Sequence, residues 1–338
     1  MNSETPKKSK ISVIMPVYNG MGYIERSLPP LVKMKESGEV EEIIIVDDSS
    51  TDGTADYVNS LELKLIPSGG RLGPGAARNM AAEIASGDVI WLVDADVIVH
   101  DDAVNYIHEA LSNENVVAVF GSYDENPPAQ NFLSQYKNLI HHFYHHRGRK
   151  EASTFWSGCG AVKKKEFLEQ DGFDVELYKR PSIEDIELGH RLIKAGGKIL
   201  LIPEMLSTHM KEWRIINLLH TEIFCRAIPW SRLMLNSTGI VNDLNVGLTE
   251  RIRAVLGCLF FLIILLSVLQ ILPWWAPLSV YILSLISNSK LFFLFLNRKG
   301  IIFSLVAMLY HQFYYLYSTS AFAWCWFEKL FGIGARTK

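Results

Sequence analysis

Gly73 to Val97 reads GPGAARNMAAEIASGDVIWLVDADV, and this stretch decides the fold. Pro74 to about Ser86 reads as a helix. Asp88 to Val93 (DVIWLV) is a short buried strand that runs directly into Asp94-Ala95-Asp96. Working outward, Leu63 to Pro67 is a weaker strand leading into the glycine-rich SGGRLGPGAARN. Before it stands EEIIIVDDSSTDGT: a buried strand Ile43 to Val46, then acidic and hydroxyl residues at its carboxyl end. Asp52-Gly53-Thr54 opens another helix with capping chemistry. Earlier still, ISVIMPVY (Ile11 to Tyr18) is a β-rich run ended by the turn signal Asn19-Gly20, and Gly22 to Met34 has apolar residues at helical spacing. Strands alternating with helices imply an α/β fold, a mostly parallel, Rossmann-like sheet covered on both faces.

In such sheets ligands bind outside the carboxyl ends of the strands. Asp47, Asp48, Asp94 and Asp96 all fall at such ends. On an extended segment Asp94 and Asp96, two apart, point the same way. Paired carboxylates suit a hard divalent cation, Mg²⁺ or Mn²⁺, which takes oxygen ligands and bridges substrate phosphates. Such an ion neutralises charge developing on a diphosphate leaving group. An Asp-x-Asp pair by itself also caps ordinary turns; its position after a buried strand is what favours a site.

A fourth stretch, IEDIELGHRL (Ile183 to Leu192), follows EQDGFD (Glu169 to Asp174). Glu184, Asp185 and Glu187 open a helical segment, where the dipole keeps carboxylates ionised. They either cap that helix or present a general base.

Taken together and in order, VIMPVYNG (Val13 to Gly20), IIIVDDSSTDGT (Ile43 to Thr54), the Gly73 to Val97 stretch and IEDIELGHRL resemble the family 2 glycosyltransferases. The resemblance runs from about Ile11 to Leu201. It implies a GT-A nucleotide-diphospho-sugar transferase fold and a nucleotide-sugar donor carrying UDP or GDP. Pro16 and Tyr18 then shape the first turn beside the base, and Asp47 or Asp48 contacts base and ribose. Arg78 sits near the nucleotide. Asp94, Ala95 and Asp96 form the Asp-x-Asp motif for ribose and metal, and Asp185 is the base of an inverting transfer; His209 completes the metal shell, with a satisfied structural histidine as the equal alternative. Arg191 supports that motif. Trp156, Gly158 and Gly160 in FWSGCGAV stand where the family positions its acceptor; core packing is the equal alternative. Processive members carry Gln-x-x-Arg-Trp near the membrane. This chain has CRAIPW (Cys225 to Trp230), which favours transfer of a single sugar.

The C-terminal third is a different kind of sequence. Val255 to Leu272 runs about 18 residues without a charge, enough to cross or nearly cross a bilayer. Trp274 to Ile286 is shorter, and Ile301 to Phe327 is long and rich in Tyr and Trp. Arg251 and Arg253 precede the first run; Lys290, Arg298 and Lys299 lie between the second and third. The positive-inside rule puts both clusters in the cytosol, giving a hairpin, with NSKLFFLFLNRKG as an interfacial segment. A third crossing would take the C-terminus outside, against Lys329, Arg336 and Lys338, so two or three spans result. The polar start, MNSETPKKSK, has no apolar h-region behind it, leaving the catalytic part cytoplasmic. The expected organisation is a tail over 1–10, a catalytic domain over 11–235, a linker over 236–254 and a membrane region over 255–330.

The net charge of −3 shows no basic excess for nucleic acid, and none of the four cysteines are spaced as C-x-x-C. His141, His142, His145 and His146 lack accompanying carboxylate pairs and read as a solvated or membrane-facing helix face. Lys163 to Lys165 read as a solvated face or a headgroup contact. The function expected is a multi-pass enzyme of the inner or plasma membrane that glycosylates a lipid-linked or membrane-associated hydroxyl in cell-envelope or glycolipid synthesis. The alternatives are a polyprenyl-phosphate glycosyltransferase and a catalytically silent membrane scaffold.

Overall fold

The computed structural model describes residues 9–239 and 242–333, so most of the expected N-terminal tail, and Arg336 and Lys338, lie outside the described residues. The chain forms two compact units. One runs to Gln130 and resumes over Gly148–Glu212; the other comprises Asn131–Arg147 and the chain from Trp213 onward.

The first unit holds a nine-stranded sheet. Its strands are β1 (Ile11–Val17), β2 (Glu42–Asp47), β3 (Lys64–Pro67), β4 (Val89–Val93), β5 (Val97–Val99), β6 (Val116–Tyr123), β7 (Glu151–Ala152), β8 (Cys159–Lys163) and β9 (Lys198–His209). The order is β3-β2-β1-β4-β8-β6-β9-β5, with β7 beside β9. β1 pairs in parallel with β2 and β4, β2 with β3, and β6 with β9. β8 is antiparallel to both β4 and β6, and β5 and β7 are antiparallel to β9. The strands are thus mostly codirectional, and their carboxyl ends lie along one edge. Every residue of β4 and β6 is buried, which is why these strands read as continuous apolar runs rather than alternating ones. Gly121 is obligatory where β6 bulges against β9, since a Cβ there would lie 1.9 Å from the Met205 carbonyl oxygen.

Helices α1 (Met21–Glu36), α2 (Thr54–Ser60), α3 (Pro74–Ile84) and α4 (Ala103–Leu111) join these strands. Helix α5 (Phe132–His145) belongs to the other unit, and α6 (Lys164–Glu169) and α7 (Glu184–Lys194) complete the first. The catalytic stretch expected over 11–235 is therefore interrupted. The cause is visible in α5: Tyr136, Leu139, Ile140, Phe143 and Tyr144 form one cluster with Leu291, Phe295, Ala307 and Met308.

The helical unit continues with α8 (Ile215–His220), a π-helical stretch Thr221–Ala227 that holds the start of CRAIPW, and α9 (Ile228–Leu233). Then come α10 (Leu248–Val268), α11 (Ala276–Ser287) and α12 (Ser289–Leu330). Two of these, α10 with 21 residues and α12 with 42, are long and apolar enough to cross a membrane; α11 is shorter. Only 11 % of the most apolar window of α10 is buried, unlike a core helix of a soluble protein. The interfacial segment and the third apolar run expected from the sequence are joined in α12, across a kink at Gly300 (φ 79, ψ 177). The Arg253 guanidinium donates to the Ser287 carbonyl, which brings the start of α10 level with the end of α11, as a hairpin requires.

Candidate active site

The predicted residues of the sheet unit gather at the carboxyl edge. Pro16 and Val17 end β1, in register with Val46 and Asp47 of β2. Tyr18 follows, 40 % exposed, with the Arg71 guanidinium 3.8 Å above its ring. Asp47 accepts from the Ser50 N–H at 3.1 Å. Asp48 is buried, and both its oxygens are used on the glycine-rich loop: Oδ1 takes Ser68 Oγ and the Leu72 N–H (both 2.8 Å), and Oδ2 the Gly73 N–H (2.9 Å). Gly73 needs its missing Cβ here, because it holds φ 88 immediately before Pro74 opens α3. Asp48 thereby fixes where α3 starts, and α3 carries Arg78.

Arg78 is 3 % exposed and bridges two carboxylates. Its Nη2 donates to Asp94 Oδ1 at 2.5 Å, and its Nη1 lies 3.8 Å from Glu184 Oε1. Its Nε has no partner among the described residues. Glu184, the neighbour of the predicted base, thus belongs to the site. Burial, with the adjacent Asp185 charge, raises its carboxyl above the usual range against the pull of Arg78.

Asp94, Ala95 and Asp96 are not on extended backbone, as the strand-alternation argument required. They form a turn between β4 and β5, in which the Val97 N–H donates to the Asp94 carbonyl at 3.0 Å. The carboxylates nonetheless face a common region. Burial, partly offset by Arg78, pushes the Asp94 carboxyl up, and the Asp96 charge adds to it. Asp96 moves down: burial opposes its charge, but His209 and Lys211 outweigh that. Ala95 contributes its backbone, the carbonyl accepting from Ser27 Oγ at 2.8 Å. His209 ends β9 opposite Val97, with its Nε2 3.6 Å from Asp96 Oδ2. Its ring stacks on Tyr123 (centroids 4.4 Å apart, planes 9° apart), and Trp156 meets Tyr123 edge-on at 4.8 Å. Tyr123 was missed in the sequence, because an aromatic at a strand end carries no local signal of what it will stack upon.

No three Asp, Glu, His or Cys side chains already form a metal cage among the described residues. Two mutually repelling carboxylates beside an imidazole still fit a dication that takes its other ligands from phosphate and water. Asp185 stands in the first turn of α7. Its Oδ2 accepts from the Ser157 N–H (3.0 Å) and hydroxyl (3.1 Å), and its Oδ1 from the Ile186 N–H (2.8 Å). The Gly158 carbonyl accepts from the Asp94 N–H at 3.1 Å, so one short loop touches both acidic elements. Arg191 grips Glu187 with Nε and Nη2, and donates to the carbonyls of Gln170 and Gly172, tying α7 to the turn before Phe173.

Other expectations resolve as structure. Lys163 and Lys164 reach backbone carbonyls of Asn113, Glu114 and Ala85. His141, His142, His145 and His146 lie on α5 in the helical unit, ring against ring in i,i+4 pairs. All four cysteines are free, and burial pushes the Cys159 thiol to about 12.

The family model for glycosyl transferase family 2 matches residues 12–172. An uncharacterized glycosyltransferase of Haemophilus influenzae is 32% identical over 118 residues, 33% of this chain and 46% of that protein. A poly(ribitol-phosphate) beta-glucosyltransferase of Bacillus spizizenii is 39% identical over 104 residues, 28% of this chain and 16% of that protein. The chain therefore spans less than half the length of these curated relatives. Among solved structures, the mannosyltransferase PcManGT from Pyrobaculum calidifontis, in complex with GDP-Man and Mn²⁺, superposes with a TM-score of 0.51 at 16% identity. That likeness covers 94% of this chain and 88% of the other, and it concerns the fold. Residues 12–172 of this chain thus match a glycosyltransferase family 2 domain, and the sheet has the GT-A-like fold.

Proposed function

We propose that the chain moves one sugar, with inversion, from a nucleotide-sugar to a hydroxyl on a lipid-linked or membrane-associated acceptor. The observation that carries this reading is the Trp156–Gly158 loop. Its Gly158 carbonyl holds the Asp94 backbone, and its Ser157 holds Asp185, so the donor-side acid pair and the candidate base share one wall. Tyr18, Pro16, Asp47 and Asp48 border the nucleoside. Arg78 orients Asp94 and Glu184. Two Ser157 hydrogen bonds fix one Asp185 oxygen, and this carboxylate takes the proton of the attacking hydroxyl. Asp94, Asp96 and His209 would hold a divalent ion, Mg²⁺ or Mn²⁺, whose charge stabilises the departing diphosphate.

The acceptor class rests on two supports. The Bacillus spizizenii relative is named for a polyol-phosphate polymer, whose free hydroxyls are nucleophiles of this kind. The apolar helices α10 and α12 supply a membrane anchor that raises the local concentration of a membrane-bound acceptor. With Arg251, Arg253, Lys290, Arg298 and Lys299 inside, the sheet unit is cytoplasmic.

The test is turnover by the full chain in lipid against a panel of UDP- and GDP-sugars, with Mn²⁺, Mg²⁺ or EDTA. Transfer of one donor, lost in EDTA and restored by metal, is expected. Equal turnover in EDTA would remove the metal from the reading. No donor binding at all, with native lipids supplied, would replace it with the silent scaffold.

A further inference from the structure

The helical unit carries a surface groove of about 420 Å³ that the transfer reaction does not use. One wall is the end of α5: His142, Phe143, His146 and Arg147. The other is the first part of α12: Lys290, Phe293, Leu294 and Asn297. Cationic and aromatic side chains alternate along it, and no Asp or Glu lines it. Among the described residues neither Arg147 nor Lys290 forms an ion pair. Arg147 instead lies over the Phe143 ring at 5.2 Å. Phe293 is 55 % exposed beside them, an apolar plate next to two cations.

The groove lies at a definite level of the unit. Lys290 follows directly on the end of α11, where Ser287 takes the Arg253 guanidinium. That is the end of the hairpin that bears Arg251 and Arg253. Positive charge at that end and apolar helix beyond it match the headgroup layer of an anionic leaflet.

We infer that this groove binds the headgroup of an anionic glycerophospholipid. Arg147 and Lys290 meet the phosphate charge, and Phe293 and Leu294 meet the glycerol and upper acyl chain. The inference rests on the membrane reading above, but it adds a specific lipid site that mere insertion does not require.

The experiment reconstitutes the full chain in nanodiscs of phosphatidylcholine containing phosphatidylglycerol. The discs are stripped with mild detergent, and retained lipids are counted by native mass spectrometry. Preferential retention of phosphatidylglycerol is expected. The Arg147→Glu/Lys290→Glu double variant should weaken it roughly tenfold or more, while the charge-matched control Lys35→Glu/Lys165→Glu leaves it unchanged. If the double variant fails to fold, Lys290→Gln replaces it, with a roughly threefold loss expected. Equal retention of both lipids by the unmodified chain, or equal behaviour of variant and control, overturns the site. Alkaline carbonate extraction separates the two readings. Protein that stays membrane-integral but shows no lipid preference overturns the groove alone, whereas protein released from the bilayer overturns the membrane reading and the groove with it.

Discussion

The two units bury charge for opposite ends. In the sheet unit, buried charge at the carboxyl edge is left incomplete. Arg78 spans Asp94 and Glu184, and the Asp96 charge still raises the cost of ionising Asp94. In the helical unit, ionised groups meet opposite charge at close range. Glu250 takes the hydroxyls of Tyr144 (3.0 Å) and Tyr315 (2.8 Å) and the Arg253 guanidinium. Glu222 takes Lys137 at 2.8 Å and Arg226 at 3.2 Å. A paired network specifies how helices meet. Two like charges held close together keep an electrostatic cost that a charged ligand relieves. The difference marks which unit does chemistry.

The largest break in that contrast is expected at Asp96. Asp96→Ala should lower transfer about 10³-fold or more, because leaving-group charge then lacks its counter-charge. The sheet should stay folded by circular dichroism, since Asp96 stands in a partly exposed turn and its carboxylate meets His209 at 3.6 Å rather than the apolar core. Unchanged donor affinity and unchanged metal dependence would sink the metal assignment. Asp185→Asn comes next. It preserves shape and removes the base, so kcat should fall about 10²- to 10⁴-fold with donor Kd unaltered. A variant that keeps full activity would point to an acceptor that is already ionised, such as a lipid phosphate.

The reverse experiment targets the paired network. Glu250→Ala strands Arg253 beside two tyrosine hydroxyls, and a broken buried pair costs about 3 kcal/mol. The helical unit should unfold earlier in detergent melts while donor binding to the sheet unit is retained. Loss of donor binding in the folded variant would show that this network is not confined to architecture.

The sequence made the sheet legible because its central strands are buried on both faces, and β2 and β4 run directly into carboxylates. Val89–Val93 into Asp94 announces both a central strand and a site, and the family model matches where those motifs stand. What stayed hidden was tertiary. The turn at Asp94–Val97 replaced an expected extended segment, because β5 leaves β4 to pair with β9. Glu184 reads from sequence as either a helix cap or a base, and its contact with Arg78 is a tertiary one that spacing does not show. The exit of α5 from the sheet unit could not be read either: amphipathic spacing gives a helix its apolar face but not the surface it will meet.

The smallest effect concerns the opposite edge of the same sheet, where β2 begins. Glu42 there is fully engaged, with no like charge beside it of the kind Asp96 places beside Asp94. Burial opposes its ionisation, but the Ser86 N–H (2.6 Å) and hydroxyl (2.7 Å), the Ser12 hydroxyl (2.8 Å) and Lys64 (3.4 Å) outweigh that and hold its carboxyl at about 2. A folded-state value below the ordinary 4.5 stabilises the fold at all pH above about 4.5, and the contribution is lost as pH falls toward 2. Because solvent screens part of this interaction, its worth at neutral pH is about 1–2 kcal/mol. Glu42→Gln should therefore lower urea stability by that amount at pH 7 and by almost nothing near pH 2, leaving a shallower acid limb between. Parallel pH profiles for the two proteins would mean that Glu42 is no better bound in the fold than in the unfolded chain. The contrast between a tied edge and an open one would then rest on the site carboxylates alone.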